Sequence, residues 1–396
     1  MGFAEMPADG IHSVTVPGTV AGWATLHSRF GRLPLADVIE PAIFYAERGF
    51  PVSDIIAQRW ATYRQARGRS ERRKNLSAGR RAPRAGELFR NRDLADALRA
   101  DCQPRPFGLL RGRHRGRRFW PQAASGADDS PRPTCVSVRA GVGGSDLDDL
   151  PRVERARTAA EHAGIAALMM LDVMEQFPIR ECGFHSARSL HVMIEAKKLA
   201  YADMLRHVGD PRFGELPVSA MLDKSCAKAR AKLIVRADAA ATHVEPSVFD
   251  GVTDRSGGDT IYLSAIDRDG NIVSLIQSIY RGFGSGIVPP GTGFALHNRG
   301  VLFSLDESHP NALAPRKRPL HTLIPAFMQP RRYRIGFGIM GGWNQAQAHA
   351  QFVSQHRRST TWTSRRRWRP GDLRKQPSTD RTWRLKRASL NQLDGS

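Results

Sequence analysis

Residues 260–280 read TIYLSAIDRDGNIVSLIQSIY and carry the clearest structural signal of the chain. Two runs rich in β-branched and aromatic residues flank Asp269-Gly270, a dipeptide typical of tight turns. This pattern predicts a β-hairpin that begins at Thr260. The segment that follows reads GFGSGIVPPGTG, residues 282–293, and predicts a loop rich in backbone N–H groups.

Helical periodicity extends on the N-terminal side of this hairpin. The segment Leu35–Arg48 spaces its apolar residues along one face and is followed by Gly49, a typical C-cap. Ile165–Phe177 is apolar nearly all round, which indicates a buried helix. Ser186–Val208 predicts a further long helix. The apolar face of the first of these helices comprises Leu35, Val38, Ile39, Ile43 and Ala46.

The composition bounds the class of protein. The chain has 396 residues, a net charge of +22, and four cysteines without a C-x-x-C pair. Such cysteine spacing argues against a disulfide framework or a zinc site, and we expect neither a metal nor an organic cofactor. No apolar run has membrane-span length and no signal-like segment is seen, so a cytoplasmic location is expected.

The positive charge is concentrated in two runs, Arg64–Arg118 and Arg357–Arg387. A basic nucleic-acid-binding protein is therefore one alternative interpretation. Abrupt changes from core-like to Arg- and Pro-rich sequence are also typical of GC-rich coding sequence read out of frame. On that hypothesis, residues 102–160 and the basic tail 356–396 are not evolved structure, and the tail is disordered or non-native.

Several blocks of sequence occur in a fixed order. They are VTVPGTVAGW at Val14–Trp23, EAKKLAYAD at Glu195–Asp203, GDP at Gly209–Pro211, the whole of Gly258–Pro319, and MGG at Met340–Gly342. Together they resemble the gamma-glutamyltransferase family of N-terminal-nucleophile hydrolases, and within it a bacterial acylase-like branch. The resemblance implies an α/β fold, a four-layer α/β/β/α sandwich that is incomplete at both ends.

The resemblance also implies a self-processing chemistry. It assigns Thr260 as the nucleophile, freed when the chain cleaves itself between Asp259 and Thr260. The released α-amine, with a reference pKa of about 7.7–8.0, then serves as the general base. Ser278 takes the position of a hydroxyl that hydrogen-bonds the nucleophile. Gly341 and Gly342 take the position of the backbone donors to the oxyanion.

The substrate-binding positions depart from the family pattern. By the resemblance they are Tyr280, Arg299, His321 and Thr322, where Tyr280 replaces an asparagine and His321-Thr322 replaces a serine pair. Leu302 stands where an acidic residue would bind the α-ammonium group of a γ-glutamyl substrate. These departures favour a glutaryl-type acyl group, and the expected substrates are small γ-glutamyl or glutaryl-type amides.

The resemblance divides the chain at the cleavage site. Residues 1–259 are expected to form a mainly helical large-subunit-like part, and residues 260–355 a small-subunit-like catalytic part that associates with it. No membrane partner is expected, and a nucleic-acid partner is disfavoured. An inactive truncated relic of the family is the remaining alternative to an active enzyme.

Overall fold

The computed structural model describes residues 3–66, 81–101, 162–179, 181–183, 186–234, 260–328 and 334–358, with short strands at 374–375 and 383–384. Asp259, the segment 102–160 and most of the basic tail lie outside the described residues. The chain divides into two compact units. The first comprises Met1–Gly144 and Ile279–Val301, and the second comprises Ser145–Ser278 and Leu302–Ser396.

The described residues mix helices and strands, which confirms the α/β class. The helices are α1 (Thr19–Phe30), α2 (Leu35–Arg48), α3 (Asp54–Ala66), α4 (Arg92–Asp101), α5 (Gly164–Met174), α6 (Ala187–His207), α7 (Val218–Met221), α8 (Lys224–Lys232) and α9 (Asn344–Arg358), with 3₁₀ turns at Ile11–Ser13, Pro211–Phe213 and Arg299–Leu302. No helix in this part of the chain is long and apolar enough to span a membrane.

The strands pair two by two, and every pair is antiparallel. They are β1 (Phe50–Pro51) with β2 (Leu88–Phe89), β3 (Thr260–Ile266) with β4 (Ile272–Ser278), β5 (Ala326–Met328) with β6 (Ile335–Phe337), and β7 (Arg374–Lys375) with β8 (Trp383–Arg384). The sandwich implied by the sequence is thus represented in the described residues by short ladders and not by wide sheets.

The local predictions for helices agree with the structure. Helix α2 has the predicted bounds and ends at Gly49, whose φ of 93° explains the glycine. In α6 the Ser186 hydroxyl caps the helix by accepting from the Ser189 backbone N–H. The apolar face of α2 is only partly covered, because Ile39 and Ala46 are buried while Val38 is 54% exposed.

The core of the second unit joins residues from both sides of position 260. Helix α5 is buried around most of its surface, as its sequence predicts, and it packs against α6, α8 and α9. The buried cluster continues through β5 and β6 to Met328 and Phe337. The predicted boundary at 259/260 is a cleavage site and does not separate the two compact units, because the second unit contains residues from both sides of it. Cleavage at this position stays a prediction.

Asp210, just after α6, connects two distant segments of this unit. Its buried carboxylate accepts hydrogen bonds from the Arg212 side chain and, at 2.8 Å, from the Arg318 backbone N–H. Burial alone would raise its pKa, but these hydrogen bonds outweigh burial and lower the pKa to about 2. The preceding Gly209 cannot carry a side chain, since a Cβ there would lie 2.3 Å from the Pro310 carbonyl oxygen.

Candidate active site

The hairpin predicted from the sequence is present and places Thr260 at its head. Thr260 is the first residue of β3 and pairs with Ser278, the last residue of β4, and the register is kept through to the pair Ile266–Ile272. The turn is fixed by the Asp267 carboxylate, which accepts from the backbone N–H groups of Asp269 and Asn271. Gly270 adopts a φ of 82°, which the tight turn requires.

The pairing brings two hydroxyl groups together. The Thr260 Oγ1 donates a hydrogen bond to the Ser278 Oγ at 2.9 Å, and Thr260 is only 6% exposed. Because side chains alternate across a strand, both hydroxyls lie on the same face of the hairpin as Tyr262 and Ser274. The structure therefore shows the contact that the resemblance implies, while the catalytic roles of the two residues stay predictions.

The glycine pair lies where a strand passes into a helix. After β6 the chain turns through Gly341 and Gly342, with φ of 120° and 54°, and enters α9 at Asn344. Both glycine carbonyls are engaged in the first helical turn, accepting from the backbone N–H groups of Asn344 and Gln345 at 2.9 and 3.1 Å. The partial positive charge of a helix N-terminus favours a developing oxyanion beside such a turn.

The hairpin lies directly against the strand that leads to this turn. A Cβ on Gly338 would lie 2.2 Å from the Tyr262 ring, so the ring rests on bare backbone three residues before Gly341. From β4, the Ser274 hydroxyl approaches the carbonyl oxygens of Ala326 and Phe337 at 3.3 and 3.4 Å. The β3–β4 hairpin and the glycine turn therefore belong to one packed assembly.

The segment that carries His321 and Thr322 joins the same assembly through α9. Gln345 accepts from the Ile324 backbone N–H at 3.1 Å, and the His349 Nε2 lies 3.0 Å from the Ile324 carbonyl oxygen. His321 is half-buried and stacks on His162 with ring centroids 5.2 Å apart. Thr322 has no exposed surface. A direct contact of Thr322 with substrate stays a prediction.

Tyr280 and Arg299 belong to the first unit, whereas Thr260 belongs to the second. The Arg299 guanidinium lies 4.5 Å from the centroid of the Tyr280 ring, and the two residues are 4% and 2% exposed. Burial lowers the pKa of Arg299 to about 10. Their geometry is that of a buried cation–π pair, and the predicted role in substrate binding is untested.

Two tyrosines beside the glycine turn were not recognised as functional from the sequence. Tyr262 lies in β3, two residues after Thr260, and Tyr201 lies in α6. Both make contacts with partners far away in the sequence, which no local pattern indicates. Among the described residues, no cluster of histidine, cysteine and acidic side chains has the make-up of a metal site.

The arrangement matches known proteins. A cephalosporin acylase from Bacillus halodurans has a similar structure, with a TM-score of 0.75 and 32% identity over 89% of this chain and 65% of that one. The glutathione hydrolase-like YwrD proenzyme of Bacillus subtilis is 31% identical over 89% of this chain and 66% of its own length. The oxamate amidohydrolase proenzyme of Klebsiella pneumoniae is 34% identical over 87% and 64%.

A fold of this kind, with a threonine at the head of a strand and a glycine turn beside it, defines the N-terminal-nucleophile hydrolase class. The gamma-glutamyltranspeptidase family model matches residues 1–102 and 149–362. The chain belongs to the gamma-glutamyltranspeptidase family. It spans slightly less than two thirds of the length of the relatives named above. None of these matches supports the nucleic-acid-binding alternative.

Proposed function

We propose that this protein is a self-processing amidohydrolase or acyltransferase in which Thr260 is the nucleophile. The observation that carries the proposal is the partly buried hydrogen bond from the Thr260 Oγ1 to the Ser278 Oγ at 2.9 Å, at the head of a hairpin that packs against the strand leading to the glycine turn. Family membership and the proenzyme relatives support the same chemistry.

Processing comes first in this mechanism. The Thr260 hydroxyl attacks the carbonyl carbon of Asp259, and the peptide bond is replaced by an ester between the Asp259 carbonyl and the Thr260 oxygen. Water then hydrolyses the ester, which leaves a carboxylate at the end of one fragment and a free α-amine and hydroxyl on Thr260. The two fragments stay associated through the shared core of the second unit.

Turnover uses the same hydroxyl. The α-amine of Thr260 removes the hydroxyl proton as the oxygen attacks the amide carbonyl of the substrate, and it later gives that proton to the leaving amine. The N–H groups of Gly341 and Gly342 stabilise the tetrahedral oxyanion, and each such donor is typically worth about 2.7–4 kcal/mol. Water or an acceptor amine then releases the acyl group from Thr260.

The covalent intermediate gives the sharpest test. Quenching the folded protein with acid during turnover of an activated glutaryl amide should leave one glutaryl group on the peptide that begins with Thr260. Mass spectrometry of a digest detects this addition, and the same protein without substrate is the control. Turnover that proceeds with the acyl group on another residue would refute the assignment.

We expect the acyl preference to follow from Leu302. This residue has no exposed surface and an apolar side chain, so it cannot pair with the α-ammonium of a γ-glutamyl group. A charge left without a partner is costly, and we expect kcat/KM for a glutaryl anilide to exceed that for the γ-glutamyl anilide by about 10-fold or more. Equal values, or faster γ-glutamyl turnover, would contradict this preference.

A further inference from the structure

The glycine turn has a tyrosine hydroxyl on its helix side. From α6, the Tyr201 hydroxyl donates a hydrogen bond to the Trp343 carbonyl oxygen, and the Gln347 backbone is its second partner. Trp343 and Gln347 are four residues apart at the start of α9. The tyrosine hydroxyl thus contacts the backbone of the first turn of this helix at two points.

This contact lies next to the candidate oxyanion donors. Trp343 directly follows Gly342, and the side chains of Trp343 and Tyr201 both pack against the hydrophobic core of the second unit. Burial raises the pKa of Tyr201 far above its usual range, so its hydroxyl stays protonated and continues to donate. The bond joins α6 to the residue that directly follows the glycine pair.

A second tyrosine acts on the hairpin side. The Tyr262 hydroxyl lies 3.1 Å from the Ser274 Oγ, while the Ser274 hydroxyl approaches the carbonyl oxygens of Ala326 and Phe337. Carbonyl oxygens only accept hydrogen bonds, so the single Ser274 hydroxyl proton is shared between them and Tyr262 donates to Ser274. The Tyr262 ring also packs on the backbone at Gly338. These contacts and hydrogen bonds together connect β3 to β6.

We propose that Tyr201 and Tyr262 are positioning residues that hold the Gly341–Gly342 turn in register with Thr260, one from the helix side and one from the hairpin side. Neither tyrosine touches the reacting atoms in this account. The proposal rests on the proposed function, because it concerns the stabilisation of the oxyanion in that reaction.

Two hydroxyl deletions test the proposal, Tyr201→Phe and Tyr262→Phe. Each keeps the ring and its packing and removes only the hydrogen bond. Tyr45→Phe is the matched control, since Tyr45 is an exposed residue of α2 in the first unit. The measurements are kcat and KM on an activated glutaryl anilide, the thermal unfolding midpoint, and amide hydrogen exchange in peptides that cover residues 338–347.

We expect kcat to fall by about 10- to 100-fold in each variant, which is part of the loss found when an oxyanion donor is removed completely. KM should change by less than about 3-fold, because substrate binding does not need the oxyanion donors. Exchange should become faster in residues 338–347 and stay unchanged in other peptides. The Tyr45→Phe protein should match the unmodified protein in every measurement.

Two results would overturn the proposal. One is a kcat within about twofold of the unmodified protein in both variants. The other is faster exchange spread over the whole second unit with a lower unfolding midpoint, which a purely structural role would produce. If the unmodified protein does not hydrolyse the glutaryl anilide, the proposed function fails. Hydrogen exchange then tests the positioning role separately. Unchanged exchange in residues 338–347 of both Tyr→Phe variants would refute that role, and locally faster exchange would support it.

Discussion

The Thr260→Ala protein is expected to stay a single polypeptide of 396 residues, whereas the unmodified chain should separate on a denaturing gel into residues 1–259 and 260–396. Alanine lacks the hydroxyl that attacks the Asp259 carbonyl, and it cannot carry an acyl group afterwards. Turnover should therefore fall by at least about 10³-fold, as when other catalytic nucleophiles are removed. Gel electrophoresis, intact mass and the steady-state rate measure these effects.

Two further variants make this experiment specific. Thr260→Ser keeps a hydroxyl at the same position and should still process, because serine is also a competent nucleophile. Ser264→Ala is the matched control, since Ser264 is an exposed hydroxyl on the same face of β3. Cleavage at 259/260 in the Thr260→Ala protein would contradict the mechanism. A folded unmodified chain that neither cleaves nor turns over would favour the inactive relic.

The second large effect concerns stability in acid and depends on His349. This residue of α9 is buried, and its Nδ1 and Nε2 lie 2.7 and 3.0 Å from the carbonyl oxygens of Gln345 and Ile324. A neutral imidazole has one N–H and can donate to only one of them. Burial nevertheless lowers the pKa of His349 to about 4, because the charged ring would lose its hydration.

The direction of the pH effect follows from the protons bound in each state. The unfolded histidine titrates near pH 6.5, so between pH 6.5 and 4 the unfolded chain binds more protons than the folded one. The stability contributed by the neutral ring is complete above pH 6.5 and is lost as the pH falls towards 4. The free energy of unfolding should drop by about 2–3 kcal/mol between pH 7 and pH 4.5 from this group.

Hydrogen exchange in α9 peptides measures this loss, because it reports the opening of the second unit separately. The His349→Gln protein keeps a donor at this position but does not titrate in this range, so its pH dependence should be flatter by the same amount. His27→Gln, in the first unit, is the control and should leave the α9 profile unchanged. An equally steep profile in the His349→Gln protein would refute this prediction.

Local features of the fold could be predicted from the sequence, and through-space contacts could not. The hairpin follows from alternation around Asp269-Gly270, and α2 follows from apolar spacing and its terminal glycine. The exposure of Val38 could not be predicted, because periodicity shows which face of a helix is apolar but not how much of that face is covered. The hydrogen bond from Tyr201 to the Trp343 carbonyl joins residues 142 positions apart, beyond any local pattern.

The candidate site shows the same limit. The contact between Thr260 and Ser278 is implied by the family resemblance, and the structure forms it because the two residues pair at the open end of one hairpin. The burial of Tyr280 and Arg299 against each other was not accessible, because it depends on packing within the first unit. The family resemblance implies that Tyr280 and Arg299 contact the substrate. In the structure the two side chains are buried and form a cation–π pair with each other.

The Asp210 carboxylate has a consequence for a chain that has been cut. Asp210 precedes position 260, while Arg318, whose backbone N–H it binds, follows that position. Because Gly209 lies against Pro310 in the same way, cleavage between Asp259 and Thr260 would leave the contacts of this junction in place. The cleaved protein should therefore migrate as one species under native conditions, and the two fragments should dissociate only when a denaturant unfolds the core that they share.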